Sequence, residues 1–161
     1  MGEIRTKVLL ENQWGKAGSK GKRPVMTIDA VVDTGAVMTL LPQEVVEMLK
    51  LKTFGMITVL LANDQKIELP RTEGFSLTVA GRQMFTDALV GPPGCEPLIG
   101  QLVMERLDLI ADPARRRLTP RPESPYQPTL KLKSVVDACR IAQAPPPRQP
   151  PRPPPLSPSR T

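Results

Sequence analysis

Asp33-Thr34-Gly35 is where residue types and spacing in this chain could do acid–base chemistry. The largely apolar stretch Ile28-Asp29-Ala30-Val31-Val32 reads as a strand heading into the interior, and it ends abruptly on a carboxylate, a hydroxyl and a glycine. A carboxylate so close to apolar packing either finds donors or shifts its pKa. Gly35 permits a tight turn and close approach of another segment, and Thr34 offers a hydroxyl that can tie the turn to nearby backbone. On its own the tripeptide also fits an Asx-type turn between two strands. Histidine is absent from all 161 residues, which removes Ser-His-Asp and Cys-His catalysis and leaves no imidazole for a zinc site. Cys95 has no base to activate it and reads as a semi-buried thiol. An aspartate-only mechanism remains open, with no cofactor and no metal.

The elements that must position Asp33 follow from alternation and turn residues. Lys7-Val8-Leu9-Leu10 reads as a first strand, and residues 15–21 as a basic, glycine-rich loop. Pro24-Val25-Met26-Thr27-Ile28 leads into the Asp33 strand and should pair antiparallel with the first. Thr39-Leu40-Leu41-Pro42 returns as a short strand, and Pro42 suits the first turn of a helix over residues 42–50 with Val45, Val46 and Leu49 on its apolar side. Residues 57–61 and 66–69 form a hairpin around Ala62-Asn63-Asp64-Gln65. Residues 74–79 and 83–90 pair through Ala80-Gly81-Arg82, and Pro92-Pro93-Gly94 ends the second strand. A short helix over residues 101–107, with Leu102, Val103, Arg106 and Leu107 near one side, precedes a closing hairpin of residues 109–113 and 116–119.

Two stretches carry a family resemblance. Val31-Val32-Asp33-Thr34-Gly35-Ala36 resembles the active-site loop of aspartic proteases, with Ala36 pointing to the retroviral, retropepsin-like branch. Ala88-Leu89-Val90-Gly91-Pro92 followed by Pro97-Leu98-Ile99-Gly100 is similar to the late strand and the hydrophobic-hydrophobic-glycine segment that crosses behind that loop. The resemblance spans residues 7–119 and implies an all-β, or mainly β, retropepsin-like closed barrel with short helices and a flap hairpin. The helix after residue 42 leans it towards a cellular or bacterial single-domain member. It implies an aspartic endopeptidase acting on peptide or protein substrates. Asp33, Thr34 and Gly35 would be the catalytic residues, and Ala36, Ala62, Asn63, Asp64, Ile99 and Gly100 the substrate contacts. The retropepsin pattern has an acid shortly after the catalytic loop and an arginine after the second glycine, whereas Val37 and Gln101 stand here. Both partners of that ion pair are thus missing together.

Asp-Thr-Gly occurs once, while the mechanism needs two aspartates that share a proton. The enzyme reading therefore implies a homodimer with two copies of Asp33 at its two-fold axis. Asp29 is the near competitor, but it lies within the entering strand and reads as a structural or groove residue. The competing class is a non-catalytic, protease-like dimer that binds or assembles partners through its C-terminal end.

The length accommodates one ordinary domain plus excess. Aromatics make up only 3% of residues, so the core must be aliphatic. Two cysteines do not suggest a disulfide scaffold, and no apolar run suits a signal peptide or membrane span, so a cytoplasmic location is the expectation. The net charge of +6 invites a nucleic-acid reading. The positives are scattered and lack interleaved aromatics, which argues against it. Domain organisation reads as residues 1–119, a proline-containing linker over residues 120–143 with a short strand or helix, and a proline/arginine-rich tail over residues 144–161 expected to be disordered. Within it, residues 148–155 resemble a ligand for a proline-recognition domain.

Overall fold

A computed structural model describes residues 3–15 and 23–130. Expectations for the basic loop and for residues 131–161, including the tail and its proline-recognition match, lie outside the described residues.

Alternation of inward aliphatic and outward polar residues builds the first pair. β1 (Arg5–Glu11) buries Val8 and Leu10, and β2 (Val25–Val32) buries Ile28 and Ala30. The two run antiparallel, with Val8 opposite Ile28. β3 (Leu40–Pro42) leads directly into α1 (Gln43–Met48), whose Val45 and Val46 enter the core. The helix is shorter than its sequence pattern suggests, because Pro42 acts as its N-cap and Leu49 as its C-cap. β4 (Thr53–Leu60) and β5 (Lys66–Thr72) form the long hairpin, which starts earlier than expected and carries a bulge between Phe54 and Met56.

β6 (Phe75–Val79) and β7 (Arg82–Thr86) turn through Ala80 and Gly81, both at positive φ, the geometry that matches strand twist in a two-residue hairpin. The strand expected over residues 83–90 is interrupted at Asp87. Thr72 captures Ala88 instead: its N–H donates to the Ala88 carbonyl at 2.9 Å, and its hydroxyl accepts the Ala88 N–H at 3.0 Å. That diverts β8 (Leu89–Gly91) to a parallel ladder with β3. β9 (Leu98–Ile99) and α2 (Gln101–Arg106) follow, with Val103 and Met104 buried and Leu102 facing out, contrary to its expected place on the apolar side. β10 (Leu109–Asp112) and β11 (Arg117–Pro120) form a separate two-stranded sheet.

The main sheet has nine strands in the order β4-β5-β8-β3-β9-β2-β1-β6-β7 and curls into a half-barrel. The mainly β expectation is met. Ring closure is not: among the described residues no ladder joins the β4 and β7 edges. Aliphatic residues fill the interior as the composition requires, and Phe75 is the one buried aromatic among the described residues. No helix among them is long and apolar enough to cross a membrane.

Polar anchors tie the ends of these elements together. Asn12, fully buried, donates to the carbonyls of Leu49 (3.0 Å) and Lys50 (3.1 Å) and accepts the N–H groups of Trp14 (2.9 Å) and Gly15 (2.8 Å). Arg82 is buried, has no carboxylate partner among the described residues, and donates to the carbonyls of Leu107, Asp108 and Ser124. Asp108 accepts the Ser124 hydroxyl, Arg121 Nε at 2.8 Å and the Thr129 N–H at 3.1 Å. The compact unit consequently runs to Leu130, past Thr119 where the sequence pattern ends.

Replacing Asn12 with leucine strands two carbonyls and two N–H groups, and should cost about 1–3 kcal/mol in denaturant unfolding. For Asp108, hydrogen bonds from Ser124 first, then Arg121 and Thr129, hold the carboxyl well below its ordinary range, at about 2. A lowered folded-state pKa contributes stability above the unfolded value that is lost as pH falls towards the folded one. Thermal melting of the wild type should therefore drop between about pH 4 and pH 2. Asp108→Asn should melt lower at pH 7 and show a flatter dependence across that window.

Candidate active site

Asp33 leaves the end of β2 just where that strand stops pairing with β1. Its turn is held instead by backbone from the far side of the sequence. The Val31 N–H donates to the Pro97 carbonyl at 2.9 Å, and the Asp33 N–H to the Ile99 carbonyl at 3.0 Å. These extend the parallel pairing of β2 with β9, in which Val32 sits opposite Ile99. Val32 also donates to the Ile4 carbonyl at 2.9 Å. Beyond the turn, Gln101 and Leu102 donate their N–H groups to the carbonyls of Ala36 (2.7 Å) and Val37 (3.1 Å).

The crossing is close. A Cβ on Gly100 would lie 2.6 Å from the Met38 carbonyl oxygen and 2.7 Å from that of Val37, both backbone atoms that cannot swing aside. Within the turn, the Gly35 N–H donates to Asp33 Oδ1 at 2.8 Å, which fixes one carboxylate oxygen; the other has no hydrogen-bond partner among the described residues. Asp33, Thr34 and Gly35 are exposed and Ala36 is half-buried.

Asp33 opens onto a cavity of about 320 Å³ lined also by Val31, Val32, Glu96 and Leu98. The site residues expected from sequence separate into three groups around it. Asp33, Thr34, Gly35 and Ala36 form the turn, and Gly100 supports it from behind. Ile99 was expected to contact substrate, but its side chain is fully buried in the core. What it gives the site is its carbonyl. Ala62, Asn63 and Asp64 sit exposed at the hairpin tip and do not line the cavity. There Asp64, at φ 62°, donates to the Leu61 carbonyl at 3.0 Å and Asn63 Oδ1 accepts the Gln65 N–H at 3.2 Å, so the tip is closed by its own bonds. Asp29 lies exposed on β2 opposite Lys7, outside the cavity lining.

Glu96, Val31, Val32 and Leu98 were not singled out as site residues from sequence. Period-2 alternation places Val31 on the outward face with Asp33, but nothing local in the sequence brings Glu96 beside them. No group of histidine, cysteine, aspartate or glutamate side chains among the described residues is arranged to hold a metal.

No protein-family model matches the chain, and no curated protein does. Among solved structures it is similar to the crystal structure of the retroviral protease-like domain of Ddi1 from Leishmania major. The match has 13% identity and a TM-score of 0.50, over 76% of this chain and 90% of that one. The fold is retropepsin-like. In that fold the crossing of β2, β9 and the residue 36–38 segment is the part of the chain that presents Asp33.

Gly100→Ala should therefore destabilise the protein by about 1–3 kcal/mol, the usual cost of forcing extra atoms into close packing. Gly35→Ala should cost less, because its added Cβ meets only the Asp33 carboxylate, at 3.3 Å. Paired urea melts of the two variants measure the difference.

Proposed function

We propose that this chain is an aspartic endopeptidase that works as a homodimer, with Asp33 from each of two copies facing one water. The observation that carries the reading is the Asp33 carboxylate itself, which stands exposed in an Asp-Thr-Gly turn on a retropepsin-like fold, at the edge of a cavity. One chain supplies one such carboxylate, and the chemistry needs two in opposite protonation states.

In this mechanism the ionised Asp33 takes a proton from water as the water oxygen attacks the peptide carbonyl carbon. The protonated Asp33 donates its proton to the carbonyl oxygen, giving a neutral tetrahedral diol. The diol then returns a proton to one carboxylate while the other protonates the amide nitrogen. The C–N bond breaks, releasing a carboxylic acid and an amine and leaving the pair with one shared proton. Thr34 braces the facing loops and Gly35 lets them approach. The hairpin of β4 and β5 serves as the flap that closes over an extended peptide and limits water access.

Asp33→Asn should lower kcat/KM by about 10²–10⁴-fold, the range for loss of a positioned acid–base group, while circular dichroism and sedimentation stay those of the wild type. Specific activity of the wild type should fall on dilution in step with the dimer fraction. Normal activity in Asp33→Asn, or full activity in a monomeric sample, refutes the shared-Asp33 mechanism.

A further inference from the structure

The cavity beside Asp33 is chemically lopsided. Val31, Val32 and Leu98 give it aliphatic walls, and Glu96 stands at its rim. The register of β1 on β2 puts Arg5 directly across from Val31, on the same outward face. The Arg5 guanidinium is divided between two acids: it meets Glu3 at 2.7 Å and also pairs with Glu96. Two carboxylates, Glu3 and Glu96, thus share one guanidinium, and the Asp33 carboxylate lines the same cavity as Glu96. Further along the same face, Lys7 stands opposite Asp29, one positive and one negative group.

We propose that Glu96 makes this cavity a specificity pocket for a basic side chain, so that the preferred substrate carries lysine or arginine next to the bond that is cut. The inference rests on the endopeptidase reading and names its substrate class. A cavity of about 320 Å³ lies at the lower end of ligand-sized sites, roughly 300–1,000 Å³, and suits one long side chain. Lysine and arginine are amphipathic along their length: the methylene stem covers apolar surface while the head keeps its polar contacts. Here the stem lies along Val31, Val32 and Leu98, and the head meets the Glu96 carboxylate alongside Arg5. An acidic side chain in the same place faces the Glu96 and Asp33 carboxylates, and no lysine or arginine among the described residues lines the cavity. A wholly aliphatic side chain fills the walls but leaves the Glu96 end unused.

The experiment uses the full chain, at a concentration where sedimentation shows it assembled, and three internally quenched peptides that differ only beside the scissile bond: lysine, norleucine or glutamate. In the wild type, kcat/KM should rank lysine above norleucine above glutamate. Glu96→Gln should reduce the lysine-to-norleucine ratio about three- to fivefold, the scale of a part-exposed ion pair. Glu96→Lys should invert the order of lysine and glutamate. Cleavage without lysine preference, or a preference unchanged in Glu96→Gln, overturns the inference while the endopeptidase reading stands. If no peptide is cut, binding of the same peptides is read from methyl resonances of Val31, Val32 and Leu98. Shifts that favour lysine and vanish in Glu96→Gln support the basic pocket without the enzyme. Absence of that preference overturns the pocket as well.

Discussion

The Asp33 turn has almost no support from its own neighbourhood, and the rest of the structure is arranged to compensate. Its N–H and that of Val31 are bound by carbonyls of Ile99 and Pro97, and the carbonyls of Ala36 and Val37 are bound from residues 101 and 102. These bonds form only if two backbones about 65 residues apart in sequence come into direct contact, which the absence of a Cβ at Gly100 allows. Backbone-to-backbone bonds suit a reactive side chain, because they fix its Cα without using its polar atoms. Asp33 spends only one oxygen, on the Gly35 N–H.

The same crossing explains why the face behind the turn is apolar. Ile99, Leu41 and Val103 are almost fully buried there. β9 pairs on both sides, parallel to β2 and antiparallel to β3, so it can be only two residues long and still be fixed. Its neighbours give the front face a different character: Val31, Leu98 and Glu96 stay accessible around the Asp33 carboxylate.

With few aromatics, the core relies on aliphatic packing, and buried polar groups define how its elements meet. Asn12 fastens the end of β1 to the end of α1. Arg82 and Asp108 fasten the chain after β11 to the back of the domain. Asn12, Arg82 and Asp108 each make three or more hydrogen bonds. That condition makes burial of a polar side chain tolerable and makes its position specific, since any other arrangement leaves donors or acceptors unpaired.

Local pattern was enough to read much of this molecule. The family resemblance singled out the Asp-Thr-Gly and Leu-Ile-Gly stretches as segments that meet, whereas alternation revealed β1, β2 and the β6–β7 hairpin, and Asn63-Asp64 and Ala80-Gly81 marked turns. Those features depend on side-chain period and backbone preference within a few residues, which a sequence displays directly. Tertiary structure alone decided that β7 and β8 separate at Asp87, because the capture of Ala88 by Thr72 is a contact between distant segments. It decided that Ile99 supports the site through its carbonyl while its side chain is buried, and that residues 120–130 belong to the domain through Asp108 and Arg82. It also brought Glu96 to the rim beside Asp33. A lone glutamate after a proline-glycine turn has no period and no motif, and its place is set by which strand β9 pairs with, a property of the whole sheet.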